Sequence, residues 1–345
     1  MQVKLKRVKK RQKPVDSAKQ HKTEHPKPQN EPFVSIHLKK SRFVKPQNTI
    51  ILLATEKHKA STRNKTLTTQ ISMEIFPPKT QEDSDTLEIK MNALKEHKPA
   101  FVSVTHSAGG SGNVKDAMKW VKTLSKDHVV HAHLTCRNKT EDEALNMWKT
   151  LKNHGASGVV ALRGDPPKNQ TPPPAKAFAN SQGFVKGLAA LPHVWKPETI
   201  IVGAYPEGHK DSLSWEQNIE WLKGKVEAGA TMAITQFFFE KETWLRFRDR
   251  LAKAQIDIPV AAGILPPTNW ENTVRFAKSC QANIPAEWTE HMESTPHENQ
   301  SNMALKLTRD LCLQLQSEGV ERFHIYAMNR PESHLFLAQA LQGEG

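Results

Sequence analysis

ISMEIF (71–76), AFVSVTH (100–106), VVHAHLT (129–135) and GVVALRG (158–164) are short apolar runs whose first residues lie 29 positions apart each time. That spacing holds one strand, one helix and two loops, the repeat of a strand crossing over to a parallel neighbour. Four more runs follow at looser intervals: TIIVGAY (199–205), MAITQFFF (232–239), IPVAAGIL (258–265) and FHIYAMN (323–329). The segments between them carry apolar residues at helical spacing, Leu87, Met91 and Leu94 within Ser84–His97, and Leu145, Trp148 and Leu151 within Glu141–His154. Gly155 and Gly229 stand where a helix should end, just ahead of the next strand. Strands alternating with helices and buried on both faces require a parallel sheet. Eight strands are the number that closes into a (β/α)8 TIM barrel, and the roughly 270 residues from 71 onward match its usual size. An open doubly wound sheet is the rival, because counting strands does not establish closure.

Ahead of the barrel lies a segment of different character. Residues 1–70 hold 18 Lys/Arg against 4 Asp/Glu, whereas residues 71–345 hold 31 against 32, so the net charge of +13 belongs to the first segment. Residues 1–70 therefore read as a basic, low-order extension and residues 71–345 as the (β/α)8 barrel domain. The extension lacks the apolar core of a secretory signal, and it is Lys-rich rather than Arg- and Ser-rich, so a cytoplasmic location is expected over organelle import. Contact with nucleic acid is expected through residues 1–70 if at all. No apolar run approaches a membrane span, and three widely spaced cysteines (Cys136, Cys280, Cys312) exclude a disulfide scaffold.

In a barrel the active site forms at the C-terminal ends of the strands. Reading those ends gives Glu74, Thr105, His133, Arg163 with Asp165, Tyr205, Gln236, Pro266, and Asn329 with Arg330. Glu74 shares a strand face with Ser72 and Phe76, and partial desolvation in a barrel mouth would raise its pKa and make it a proton donor near neutrality. The plainer reading is a structural glutamate paired with an arginine in the lumen. His131 and His133 share a face of their strand; they read as half a metal site, as hydrogen bonders to a cofactor, or as satisfied core histidines. A metal site needs further His or Asp ligands on later strands, and the ends there offer Tyr205, Gln236 and Asn329, so no metal is expected. ALRGDPP (161–167) brings a cation, a bare amide and a carboxylate to the mouth, which suits a phosphorylated or heteroaromatic ligand. SAGGSGN (107–113) could cradle phosphate but lacks the Lys of a P-loop, and no Rossmann fingerprint occurs.

Eight segments taken together resemble the methylenetetrahydrofolate reductase family: MEIFPPKT (73–80), FVSVTHSAGG (101–110), HLTC (133–136), ALRGDPP (161–167), AYPEGH (204–209), KVEAGATMAITQFFF (225–239), GILPPTN (263–269) and FHIYAMNR (323–330). The resemblance runs from about Ser72 to Arg330 and implies a flavin-dependent barrel with bound FAD, using NADH or NADPH as hydride donor. It implies reduction of 5,10-methylenetetrahydrofolate to 5-methyltetrahydrofolate, the methyl source for methionine synthesis, by a ping-pong hydride transfer. By motif, Glu74 would be the general acid that opens the imidazolidine ring, and Asp165 would tune flavin and pterin. Gln236, Asn272, Phe276 and Arg330 would contact folate. Thr105, His106, Ala108, His133, Arg163, Gly164, Tyr205, His209 and Lys225 would line FAD, with Phe178 and Ala179 beside its adenosine end. A homo-oligomer is expected. A non-redox, folate-dependent methyl transferase on the same barrel is the alternative, along with a reductase using another carrier. The chain departs from the resembled pattern at His106, often Tyr; at Asn218 and Trp221, an Asp and a polar residue; at Asn272, a Gln; and at Ala262, a Pro. Ending at Gly345, it is expected to lack the S-adenosylmethionine-sensing domain of eukaryotic members.

Overall fold

A computed structural model describes residues 69–94, 97–105, 114–165, 172 and 174–342. Residues 1–68 of the basic extension, the 107–113 loop, His106, Ala108 and most of the Pro-rich segment after Asp165 lie outside the described residues.

The eight apolar runs form β1 (Gln70–Ile75), β2 (Val102–Val104), β3 (Val130–Thr135), β4 (Gly158–Leu162), β5 (Thr199–Ala204), β6 (Met232–Thr235), β7 (Val260–Ile264) and β8 (Arg322–Tyr326). Each pairs in parallel with the next, and β8 pairs with β1, so the sheet closes in chain order. The barrel is the outcome and the open sheet is excluded. Helices α1 (Gln81–Asn92), α2 (Val114–Leu124), α3 (Glu141–Asn153), α4 (Ser181–Ala189), α5 (Trp215–Glu227) and α6 (Lys241–Lys253) fill the first six crossovers. The long seventh crossover holds α7 (Trp270–Cys280), α8 (Ala286–Ser294) and α9 (Gln300–Ser317), and α10 (Pro331–Gln342) follows β8. Among the described residues, no helix is long and apolar enough to cross a membrane.

Alternation along the strands divides the core in two. Ile71, Met73 and Ile75 point outward and are buried with the helices, as are Leu87, Trp148, Leu151 and Phe247. Phe101, Val160, Ile201, Ile234 and Ala261 point inward and form a separate apolar cluster inside the barrel. Helix boundaries follow local chemistry. Thr140 and Glu143 form a reciprocal capping box at the start of α3. Gly155 and Gly229 follow the C-caps of α3 and α5 with φ of 102° and 116°, a conformation that side-chain-bearing residues rarely adopt.

Candidate active site

The floor of the barrel is built first. His324 lies at its centre, with Nδ1 2.8 Å from the Ser72 hydroxyl and Nε2 3.4 Å from that of Ser103. His131 packs its ring 4.4 Å from that of Phe101, and its Nδ1 is 3.3 Å from the Ser157 hydroxyl. Gly158 makes room for that ring: a Cβ there would fall 2.5 Å from His131 Nδ1. Burial pushes His131 down to about 4 and His324 to about 3, so both are neutral hydrogen-bonding groups. Of the readings open for the H-x-H pair, His131 takes that of a satisfied core histidine. Among the described residues, no group of His, Cys, Asp and Glu is arranged to hold a metal.

Glu74 sits on the same strand face as Ser72, one step nearer the mouth, in register with Ser103 on β2 and Tyr326 on β8. Only 7% of it is exposed, and its Oε2 lies 3.3 Å from His133 Nε2. His133 is thus its neighbour, in place of the arginine that a purely structural glutamate would need. Burial dominates the electrostatics and pushes the carboxyl up from 4.5 to about 8. A group with that pKa is a protonated acid at neutral pH, able to donate and to be recharged by solvent protons. Tyr326 closes the wall beside it, its hydroxyl donating to the Thr235 carbonyl at 2.8 Å. Gly263 permits this approach, since a Cβ there would lie 2.0 Å from Thr235 O and 2.9 Å from the Tyr326 ring.

Above this floor opens a cavity of about 790 Å³. It brings together Glu74, Thr105, His133, Tyr205, Gln236, Asn272, Phe276 and Arg330, which are scattered over six strand exits and α7. Phe276 is 42% exposed and its ring lies 5.1 Å from that of Phe237, so a large apolar face is turned toward the cavity. The Thr105 hydroxyl is buried and has no hydrogen-bond partner among the described residues. Pro266 lines the cavity as its strand-end position predicts. Asn329 does not: its side chain accepts from Phe76 N–H at 2.7 Å and donates to Phe76 O at 2.9 Å, tying β8 to β1. Sequence reasoning overlooked Tyr326, Thr268, Asn269 and Met328, which also line this space. Tyr326 carried a usable signal, since it alternates with the inward His324.

A smaller cavity of about 240 Å³ adjoins the first and shares Leu162, Gly203, Ala204 and Tyr205 with it. Arg163, His209 and Lys225 line it, together with Asn218, Trp221 and the first turn of α4. Lys225 is buried, donates to Gly203 O at 2.7 Å and is pushed down to about 8 by desolvation. Arg163 is held by Asp211 at 2.6 Å. Gly164, Asp165, Phe178 and Ala179 line neither cavity. Asp165 is exposed; burial pushes the Tyr205 hydroxyl up, and the nearby Asp165 charge adds to this in the same direction. Phe178 packs 5.4 Å from the Phe184 ring of α4. The arrangement is one deep, acid-floored chamber joined to a narrower, cation-lined one. Such a site suits a long ligand with a reactive planar end and an anionic remainder.

Comparison with known proteins follows the same outline. The family model for methylenetetrahydrofolate reductase matches residues 59–342. The 5,10-methylenetetrahydrofolate reductase of Salmonella typhimurium is 36% identical over 275 residues, covering 79% of this chain and 90% of that protein. The enzyme of the same name from Escherichia coli is 34% identical over equal coverage. Methylenetetrahydrofolate reductase (NADH) 1 of Arabidopsis thaliana is 29% identical, covering 77% of this chain and 47% of the plant protein. Among solved structures, an uncharacterised Clostridium thermocellum protein that binds two copies of 5-methyl-5,6,7,8-tetrahydrofolic acid superposes with a TM-score of 0.55. It is 13% identical, covers 80% of this chain and 96% of its own, and shares the fold.

Proposed function

Since this chain belongs to the methylenetetrahydrofolate reductase family, we propose that its larger cavity is where the folate is protonated and reduced, with Glu74 as the acid. The protein is an oxidoreductase that reduces 5,10-methylenetetrahydrofolate to 5-methyltetrahydrofolate. The overall change consumes one hydride and one proton. NADH or NADPH provides the hydride, and a group of the protein must deliver the proton. The observation that carries the assignment is the buried Glu74 carboxyl on the cavity floor, protonated at neutral pH. Transferring that proton to a bridging nitrogen of the folate breaks the methylene carbon–nitrogen bond and leaves an iminium carbon, an acceptor for hydride. Glu74 then regains a proton from solvent, and His133 beside it can orient the carboxyl. Gln236, Asn272 and Arg330 provide polar contacts for the folate, and the exposed Phe276 ring a surface for its aryl part.

The donor set fits FAD. The Thr105 hydroxyl is a buried polar atom awaiting a partner in the larger cavity, and the smaller cavity offers cations for a diphosphate. Thr105, His133 and Tyr205 would hold the ring end, and Arg163, His209 and Lys225 the rest. FAD supplies the reversible hydride carriage between nicotinamide and folate. Roles for His106, Ala108, Gly164, Asp165, Phe178 and Ala179 rest on their motifs alone. The non-redox transferase alternative is not favoured by relatives named as reductases.

Half-reactions separate these roles. In Glu74→Gln, NADH should still bleach the flavin at close to the normal rate, while reoxidation by methylenetetrahydrofolate falls by two or more orders of magnitude, the usual scale of general acid catalysis (about 10²–10⁴). Equal loss of both half-reactions in anaerobic stopped-flow would reject Glu74 as the folate's acid.

A further inference from the structure

We infer that Trp221 is a stacking platform for the adenine of FAD and makes this chain select FAD over FMN, an inference that rests on the FAD reading above. The reactive ring of the cofactor must meet the folate over Glu74, so it occupies the larger cavity. The remainder can pass the shared wall of Leu162, Gly203, Ala204 and Tyr205 into the adjoining smaller cavity.

There α5 presents Asn218, Trp221, Leu222 and Lys225 on one face, as residues three and four apart must. Lys225 and Asn218 are buried, and each already donates to a backbone carbonyl. Lys225 donates to Gly203 O, and Asn218 Nδ2 donates to Tyr205 O at 3.0 Å. Trp221 is different: it is 40% exposed while lining the cavity, so part of the indole is open to a ligand. It is also braced. The His209 ring meets it edge-on with centroids 5.8 Å apart and an interplanar angle of 76°. His209 in turn stands at 89° to Tyr205, 4.5 Å away. Such a relay of rings fixes the indole plane, and a fixed plane loses little entropy on stacking.

Asn218 is turned to the Tyr205 carbonyl, so the α5 wall of the smaller cavity offers the indole of Trp221 as its aromatic surface. A π-face recognises any base without reading its edges. FMN ends at its single phosphate and carries no base, so it cannot use this surface.

The test compares FAD and FMN binding to the full-length chain after flavin removal by dialysis, read by flavin fluorescence in wild type, Trp221→Asn and Trp221→Phe. The wild type should bind FAD more tightly than FMN. Trp221→Asn should weaken FAD about tenfold, within the range for loss of one base–aromatic stack, with FMN within about twofold of wild type. Trp221→Phe should retain most of the preference. Because the side chain is substantially exposed, folding should survive these changes, and a circular dichroism spectrum matching wild type verifies it. An equal shift for FAD and FMN, or no shift for either, overturns the inference while leaving FAD binding standing. A wild type that binds neither flavin overturns the FAD reading and this inference with it.

Discussion

Glu74→Gln should alter how stability depends on pH, and this can be measured without any turnover. The carboxyl has a pKa of about 8 in the folded protein against an ordinary 4.5, and burial is the cause. The folded state therefore binds this proton more tightly than the unfolded chain does. Below about pH 4.5 the group is protonated in both states and carries no penalty. Between 4.5 and 8 the unfolded chain ionises and the folded one does not, so stability is lost as pH rises; above 8 the loss saturates. At about 1.4 kcal/mol per unit, the loss reaches about 3 kcal/mol at pH 7 and about 5 kcal/mol at saturation. Glutamine has nearly the same shape and never ionises, so its stability advantage over wild type should grow by about 3 kcal/mol between pH 4.5 and 7. Any constant offset from burying the amide drops out of that slope. The assay is urea unfolding of both proteins, free of flavin, followed by tryptophan fluorescence across this pH range. A gap that stays flat would refute the reasoning. So would one that widens in favour of wild type, because it would mean that His133 holds Glu74 as a carboxylate.

Other outcomes follow from neighbouring atoms. The rate of flavin reoxidation by methylenetetrahydrofolate should fall as pH rises through about 8, where Glu74 loses its proton, while flavin reduction by NADH shows no such limb in stopped-flow. Gly263→Ala would place a Cβ 2.0 Å from the Thr235 carbonyl oxygen, backbone that cannot step aside. It should cost more than about 3 kcal/mol or prevent soluble accumulation, whereas Gly319→Ala, with open space around it and φ of 87°, should cost about 1 kcal/mol by thermal unfolding. Thr105→Val removes a buried hydroxyl that has no partner among the described residues. The flavin-free protein should gain about 1 kcal/mol in denaturant titration while FAD affinity falls about fivefold, opposite signs that distinguish a ligand contact from a packing residue.

Why some of this was legible in the sequence and some was not comes down to how local each cause is. A parallel sheet of eight strands is legible in eight apolar runs, because strands buried on both faces leave uninterrupted hydrophobic stretches, whereas its closure is visible only in the pairing of β8 with β1. Glu74 stood out for the same reason, as a charge within such a run. Boundaries were read less well. The expected helix from Ser84 starts at Gln81, because Thr80 caps it by accepting from Asp83 N–H; its first turn is wholly polar and invisible to an apolar period. The run 232–239 reads as one strand, but β6 stops at Thr235. There the Gln236 side chain accepts from Phe237 N–H, and the apolar Phe237–Phe239 continue as buried, irregular chain. The two histidines of VVHAHLT share a face and a residue type, and no local rule separates them. His131 is core only because Phe101 and Gly158 from other strands shape its slot. His133 belongs to the site only because β1 brings Glu74 beside it. Trp221 is the sharpest case. Only the meeting of α5 with the β5 exit makes this half-exposed indole the wall of a cavity. Residues whose role depends on a distant partner are therefore where a folded structure adds most.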